Sequence, residues 1–335
     1  MHKYISCFNL IVAILLISCK TVDVCISHEI EVMSPYDVPI WHPLGGVIGF
    51  NHTPVIKIEF YSNNKDGCNC PPDVVYTFDS DSIGFWLINA DGSNMHRALP
   101  YTLNSPSWSP DGKQIAFSNG GQLCIMPFDG SKFDTQAIRE LPVQGENYDP
   151  AWSSDGKKIA YAQNICNDSL TCGIWVYNFE TNHSESVGIY GSFPNWQLTT
   201  DSLIYVTSEY TSKGEPLGNN IWIYNQNTTR LLHSLLSPNI DNKYFKYSPD
   251  GKMIAFVSGL NTGEGIQLYK MNSDGTGLTK ITTDGCIQFS WSPQGKIVYV
   301  NYNYDGIDKT KGTLWIMDAN GSNKKQLTDN IYKTR

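Results

Sequence analysis

The stretch that decides the fold is WSPDGKQIAF at Trp108–Phe117, and the chain repeats it. The other copies are WHPLGGVIGF at 41–50, WSSDGKKIAY at 152–161, WQLTTDSLIY at 196–205, YSPDGKMIAF at 247–256 and WSPQGKIVY at 291–299. The first aromatic residues of the six copies, here called the anchors, lie 67, 44, 44, 51 and 44 positions apart. A period in the forties built from short strands is typical of propeller blades.

Each copy combines turn residues with strand residues. In Ser-Pro-Asp-Gly, proline presets φ, aspartate can bond to its own backbone, and glycine tolerates positive φ. The aromatic residue before this turn and the apolar triplet after it predict two short strands. A third, apolar strand and a fourth, more polar strand follow in each repeat, as at 85–88 and 97–99. Six repeats predict an all-β fold, a six-bladed β-propeller of four-stranded antiparallel blades.

The nine tryptophans fall at only two positions of the repeat. The anchor position holds Trp41, Trp108, Trp152, Trp196 and Trp291, and the third strand holds Trp86, Trp175, Trp222 and Trp315. These rings could pack between facing blades or form an aromatic platform for a ligand. We favour packing, because large rings at fixed repeat positions suit the gaps between blades.

The WSPDGKxIAF core and the W-[VIL]-[YIM]-[ND] third strand resemble the WD40-like (PD40) repeats of TolB-type six-bladed propellers. The resemblance covers residues 38–328. It implies the propeller fold, but it specifies little about function, since such propellers serve as scaffolds, bind ligands or, elsewhere, carry catalysis. TolB itself is a periplasmic protein.

The amino-terminal residues indicate export. Residues 1–18 carry Lys3 and an apolar run from Leu10 to Ile17, which suits a signal peptide and is too short to span a bilayer. Leu16–Cys19 resembles a lipobox, which implies a bacterial lipoprotein with lipid on Cys19; the alternative is an ordinary secretory signal. Two or three acyl chains would hold the protein at a membrane.

The remaining boundaries follow from the repeat. We expect a lipidated tether over residues 19–37, the propeller over 38–328 and a carboxy-terminal tail over 329–335. Polar and apolar residues alternate over 29–33, so this part of the tether could add an outer strand to blade six; the alternative is a disordered linker.

Nine cysteines offer few pairings. Cys166 and Cys172 flank a short loop in blade three, a spacing that predicts a disulfide in an exported protein. Cys124 replaces a third-strand tryptophan, so we expect it to be buried. Cys68 and Cys70 lack partner ligands nearby, and we predict neither a metal site nor a cofactor.

Two further features of the sequence, a calcium-like stretch and a histidine in the first turn, do not predict functional sites. The calcium-like stretch that starts at Asn301 has Gly312 where a bidentate glutamate is required. His42 replaces the turn serine of blade one, and we expect it at the surface.

Charge and missing motifs exclude several functions. The formal net charge is −8, or −9 once Lys3 leaves with the signal peptide. No basic patch appears, so we expect no nucleic-acid partner. G-x-S-x-G and H-E-x-x-H motifs are absent from the sequence, which argues against a serine peptidase or a zinc peptidase. We expect a monomer without catalytic residues.

The connectivity of a blade sorts its loops by face. In a four-stranded meander the first–second and third–fourth turns share one end, and the second–third loops and the links between blades share the other. We expect the short repeated turns at the first end and the long irregular segments at about 62–82, 163–173, 208–220 and 301–312 at the second, where free loops usually carry function. The candidate ligand-binding residues at that end are Tyr148, Asp149, Tyr190, Glu209, Tyr210, Asp241, Tyr244, Tyr302, Tyr304 and Asp305.

The sequence therefore predicts a lipid-anchored propeller of the cell envelope, on the periplasmic side or the cell surface. Its leading function is a non-catalytic scaffold that binds an envelope protein or a glycan through the long-loop end. The first alternative is a carbohydrate-active enzyme, a glycosidase or lyase, with acidic residues at the channel mouth. A second alternative is a structural subunit of a larger envelope complex.

Overall fold

The computed structural model describes residues 34–61, 73–163, 172–214, 216–236, 242–259, 265–301 and 312–329, with the backbone alone at 56–61, 73–76 and 189. Six sheets of four antiparallel strands form a propeller, as the repeat predicts. Within these described ranges the chain contains no helix, and therefore no helix that could cross a membrane.

The first three blades take their strands in chain order. Blade one holds β1 (Tyr36–Trp41), β2 (Val47–His52), β5 (Gly84–Asn89) and β6 (His96–Leu99). Blade two holds β7 (Asn104–Trp108), β8 (Gln114–Asn119), β9 (Gln122–Pro127) and β10 (Arg139–Glu140). Blade three holds β11 (Asn147–Trp152), β12 (Lys158–Gln163), β13 (Gly173–Asn178) and β14 (His183–Ile189).

The last three blades repeat this order. Blade four holds β15 (Gly191–Trp196), β16 (Leu203–Tyr210), β17 (Pro216–Asn225) and β18 (Thr228–Leu236). Blade five holds β19 (Asn242–Tyr247), β20 (Met253–Ser258), β21 (Gln267–Asn272) and β22 (Thr279–Lys280). Blade six holds β23 (Gln288–Trp291), β24 (Lys296–Val300), β25 (Leu314–Asp318) and β26 (Lys325–Gln326).

The longest insertion forms a separate hairpin. Strands β3 (Val55–Tyr61) and β4 (Asp73–Phe78) pair only with each other, between the second and third strands of blade one. The first blade begins at Tyr36, two residues before position 38. The possible extra strand over 29–33 lies outside the described residues, so the addition to blade six stays a prediction.

The repeated turn holds itself together by hydrogen bonds. The Ser109 hydroxyl donates to Asp111 Oδ1 at 2.6 Å, and the Lys113 N–H donates to the same oxygen at 3.0 Å. Gly112 supplies the left-handed residue, with φ at 70°. Blades three and five repeat the serine–aspartate bond at 2.6 Å. The turn is therefore fixed locally, as its composition predicts.

The described core divides into six hydrophobic clusters, one at each junction between neighbouring blades. Every anchor aromatic residue packs in the cluster that its blade shares with the preceding blade. The third-strand tryptophans pack in the same clusters and are half-buried. The packing interpretation of the tryptophans is confirmed, and the apolar area they bury holds the blades side by side.

The ring closes through contacts between blades one and six. The Ser34 hydroxyl donates to the Gly312 carbonyl at 3.0 Å, and the Tyr36 hydroxyl donates to the Asp329 carbonyl at 3.2 Å. Apolar residues of both blades share one cluster, which includes Trp41 and Leu314. In the described residues each blade is built from one continuous stretch, so side-chain packing joins the first blade to the last.

The expectation that His42 is a surface turn residue is wrong. Its side chain is 9% exposed, and its ring lies edge-on to Trp108 with centroids 4.8 Å apart. His42 Nε2 also lies 3.1 Å from the Gly112 carbonyl oxygen in blade two. Gln197, at the same repeat position in blade four, donates to the Gly251 carbonyl at 2.7 Å. Where the turn serine is missing, the replacement side chain reaches to the next blade.

The loops follow the predicted sorting with one exception. The end that carries the first–second and third–fourth turns is called the turn face, and the opposite end the long-loop face. The connection 128–138, between the third and fourth strands of blade two, is long and belongs to the turn face. The repeat did not predict this long connection at the turn face. The reason is packing, because Phe133 stacks on Trp108 with centroids 5.7 Å apart.

Candidate functional site

An open channel runs along the propeller axis. It has a volume of about 1160 Å³ and is lined by the first strands of all six blades. Three residues before each anchor stands a residue that lines this channel, and these six positions form one ring around it. They are Val38, Ser105, Asp149, Phe193, Tyr244 and Gln288.

Five members of this ring have left-handed backbone. The φ angles of Val38, Ser105, Asp149, Phe193 and Tyr244 run from 48° to 58°. A β-bulge in the first strand accompanies each of them, whereas β23 of blade six pairs regularly at Gln288. Positive φ is costly for residues with a Cβ, and such strain persists only where the surrounding structure enforces it. The bulges re-aim these five residues at the channel.

Asp149 is the charged residue of the six-membered ring, and hydrogen bonds hold its carboxylate in place. Its Oδ1 accepts a hydrogen bond from the Ser105 hydroxyl at 2.7 Å, across the junction with blade two. The Phe193 backbone N–H of blade four also bonds to the carboxylate. Burial raises the pKa of Asp149, and these bonds together with the charge of Lys246 oppose that rise. Asp149 thus ties three blades together as well as lining the channel.

Lys246 brings a positive charge into the same channel. Its Nζ donates to the Phe289 carbonyl at 3.1 Å and lies over the Phe289 ring. Burial lowers the pKa of Lys246 to about 8, and the charge of Asp149 opposes the fall. The amine therefore loses part of its charge at mildly alkaline pH.

Asp37 is a second channel carboxylate. Its Oδ1 accepts the Val38 N–H at 2.9 Å, and the Gln288 side chain bonds to it as well. Burial raises the pKa of Asp37 to about 6. Gln288 also accepts the Val38 N–H and donates to the Tyr244 hydroxyl at 3.0 Å, so it links blades one, five and six.

A second cavity, here called the blade 3–4 cleft, lies between blades three and four at the long-loop face. Its volume is about 1000 Å³. Tyr190, Glu209 and Tyr210 line it, and Tyr205 and Trp222 also contribute to its wall. Tyr190 is 75% exposed and Tyr210 is 60% exposed.

The structure divides the predicted site residues instead of joining them. Asp149 and Tyr244 line the channel, whereas Tyr190, Glu209 and Tyr210 line the blade 3–4 cleft. Tyr148 lines neither cavity, and its hydroxyl donates to Glu146 Oε2 at 2.9 Å. The other four candidates lie outside the described residues: Asp241, Tyr302, Tyr304 and Asp305.

Sequence reasoning missed Asp37 and Lys246. A signal for Lys246 was available, because the residue before each anchor is uncharged in the other five repeats. For Asp37 the repeat offered no comparable signal, since its place in the channel depends on the bulge that follows it.

The cysteines behave partly as expected. Cys124 is buried, as its repeat position predicts, and both Cys124 and Cys286 are buried free cysteines. Cys172 is disulfide-bonded, but Cys166 lies outside the described residues, so their pairing stays a prediction. Cys68 and Cys70 also lie outside, as does the calcium-like stretch after Asn301. Within the described ranges, no group of three or more metal-ligating side chains comes together.

Comparison with known proteins agrees with this architecture. A family model described as "PD40: TolB beta propeller domain" matches residues 119–334. A structure assigned as TolB from Agrobacterium tumefaciens aligns over 70% of this chain and 84% of that chain, with 21% identity and a TM-score of 0.55. TolB from Acinetobacter baumannii aligns over 72% of this chain and 58% of that chain, again with 21% identity and a TM-score of 0.55.

More distant propellers share the fold as well. An oligogalacturonate lyase from Vibrio parahaemolyticus aligns over 90% of this chain and 87% of that chain, with 12% identity and a TM-score of 0.50. At such identities the structural similarity establishes the fold alone. No curated protein matches the chain.

Proposed function

Because the chain belongs to the TolB beta propeller domain family, we propose that it is a non-catalytic scaffold that binds a protein of the cell envelope. Its binding surface is the long-loop face, centred on the mouth of the axial channel. Propellers host unrelated functions, so the family alone does not decide the partner. The residues that the long-loop face exposes support the choice of this surface.

The observation that carries the proposal is the set of exposed tyrosines on this face. Tyr101 at the channel rim is 38% exposed, and Tyr190 and Tyr210 are more exposed still. Tyrosine is enriched at protein interfaces, because its ring offers apolar area and its hydroxyl offers a hydrogen bond. The channel that opens beside Tyr101 is also lined by charged groups of both signs, Asp37 and Lys246.

Site-specific photo-crosslinking tests the choice of face. A photoreactive phenylalanine replaces Tyr101, Tyr190 or Tyr210 on the long-loop face, in separate variants expressed in cells. Matched variants carry it on the turn face at Leu44, which is 72% exposed, or at Leu198, which is 53% exposed. We expect one discrete protein adduct from the first set and none from the second. Adducts from the turn face alone would overturn the proposal.

We also propose that the protein is exported and held at a membrane by lipid on Cys19. The lipobox-like Leu16–Cys19 supports this, since cleavage before the cysteine would leave Cys19 as the amino terminus. Labelled palmitate should enter the wild-type protein and not the Cys19→Ala variant, which should move to the soluble fraction. Equal membrane association of both would reject the anchor.

A carbohydrate-active enzyme remains the second candidate, because the channel holds two half-buried carboxylates, Asp37 and Asp149. The raised pKa of Asp37, about 6, suits a group that donates and accepts protons near neutral pH. Turnover of a polysaccharide panel that is lost in both Asp37→Asn and Asp149→Asn would favour this candidate over the scaffold. Asp149 is already bonded to Ser105 and Phe193, which favours a structural role for it.

A further inference from the structure

Blade four has longer second and third strands than blade three, and their extra length lies at the long-loop face. Strands β16 and β17 have 8 and 10 residues, whereas the corresponding β12 and β13 of blade three have 6 each. Two to four extra residues at about 3.3 Å each lengthen the strands by roughly 7–13 Å. This extension carries Glu209 and Tyr210 and forms one wall of the blade 3–4 cleft.

Two glycines give the cleft its shape. A Cβ on Gly188 would come within 2.4 Å of the Tyr205 ring, and one on Gly191 would come within 2.7 Å of it. Tyr205 itself is buried, with 3% of its surface exposed. Any side chain at either glycine would displace this ring, so the cleft between the blades requires glycine at both positions.

The two exposed tyrosines of the cleft are held in place by backbone. Tyr190 adopts a left-handed φ of 53°, and its N–H donates to the Cys172 carbonyl at 3.0 Å. Tyr210 stands at the end of β16, where a register irregularity interrupts the pairing with β17. Each ring leaves an apolar face in solvent beside the cleft, where a ligand can stack on it.

The polar groups of the cleft are also ordered. Glu209 Oε1 accepts a hydrogen bond from Asn220 Nδ2 at 2.7 Å, and Asn220 Oδ1 accepts one from the Ser234 hydroxyl at 2.6 Å. Ser186 and Ser208 add hydroxyl groups to the lining. Among the described lining residues Glu209 is the only one with a charged side chain, so the cleft attracts hydrogen-bond donors and repels anions.

We propose that the blade 3–4 cleft is a saccharide subsite that stacks an uncharged pyranose on Tyr190 and Tyr210. A pyranose with equatorial hydroxyls has flat C–H faces for the two rings, and its edge carries donors for Glu209 and the serine hydroxyls. The subsite adds a second ligand class to the long-loop face, and because it uses Tyr190 and Tyr210, a bound saccharide should keep a protein partner out of the cleft.

Isothermal titration calorimetry of the purified propeller with cellohexaose and with chitohexaose tests the proposal. We expect at least one of them to bind with Kd below about 1 mM, and hexagalacturonate to bind at least roughly tenfold more weakly. Tyr190→Ala and Tyr210→Ala should each weaken binding roughly tenfold, while Tyr101→Ala, on the same face at the channel rim, should leave it unchanged. Unchanged melting temperatures show that the variants remain folded.

Several outcomes would overturn the subsite. They are no binding of either neutral hexasaccharide, equal binding of hexagalacturonate, or equal loss of affinity in Tyr101→Ala. If crosslinking at Tyr210 gives the same protein adduct whether or not a neutral hexasaccharide is present during irradiation, the cleft belongs to the protein partner and the subsite is rejected. Loss of saccharide binding together with persistent adducts at Tyr101 would reject the subsite and keep the scaffold function, so the two proposals fail separately.

Discussion

Replacing the channel carboxylate Asp37 by asparagine should stabilise the protein at neutral pH and have little effect at acid pH. The cause is the cost of keeping a charge in a half-buried place: burial raises the pKa of Asp37 from 3.8 to about 6. Asparagine retains an oxygen that can accept the Val38 N–H, which Asp37 now bonds at 2.9 Å. The substitution therefore removes the charge with little loss of hydrogen bonding.

The sign and size follow from proton linkage. Between pH 3.8 and about 6 the folded protein holds the Asp37 proton that the unfolded chain has released, so stability falls as pH rises through this window. Raising the pKa of Asp37 from 3.8 to about 6 corresponds to at most about 3 kcal/mol in the free energy of unfolding. Because Asp37 keeps part of its surface towards the open channel, we expect Asp37→Asn to raise the free energy of unfolding by about 1–2 kcal/mol above pH 6.

Urea unfolding at pH 3.5 and at pH 7.5, followed by tryptophan fluorescence, measures this difference. Asp111→Asn is the control of opposite sign, because the hydrogen bond from Ser109 lowers the pKa of Asp111. Its contribution to stability is present above the unfolded pKa and is lost as pH falls, so Asp111→Asn should destabilise at pH 7.5. A loss of stability in Asp37→Asn at pH 7.5, or an equal effect at both pH values, would refute the burial argument.

Two further predictions concern packing. Gly49→Ala should destabilise by about 1–3 kcal/mol, because the new Cβ would lie 2.4 Å from the buried Phe85 ring, whereas Gly259→Ala, with no atom of the described residues within 4 Å of its Cβ, should melt like the wild type. His42→Ala should lower the free energy of unfolding by about 1–3 kcal/mol in urea titrations, since it removes the contact with the Gly112 carbonyl across the junction of blades one and two. Wild-type stability in either destabilising variant would contradict the corresponding contact.

The sequence by itself determined the architecture. Each blade is one continuous stretch, so the turn residues, the strand periodicity and the anchor aromatics of a repeat carry all that is needed to predict its four strands. The repeat also predicted the burial of Cys124 and the packing of the tryptophans between blades. The strands and turns depend on residues close together in the chain, so their physical causes are local, whereas the buried positions could be predicted because they recur at fixed places in the repeat.

The tertiary structure decided which residues meet. Asp149 contacts Ser105, 44 positions away in the preceding blade, and Glu209 lies in a different cavity from Asp149 although both were expected at one surface. The left-handed positions of the bulges hold neither glycine nor asparagine, so the sequence does not predict this backbone conformation. The surrounding ring of blades imposes it. Contacts between blades depend on how the ring closes, and closure is a property of all six sheets together.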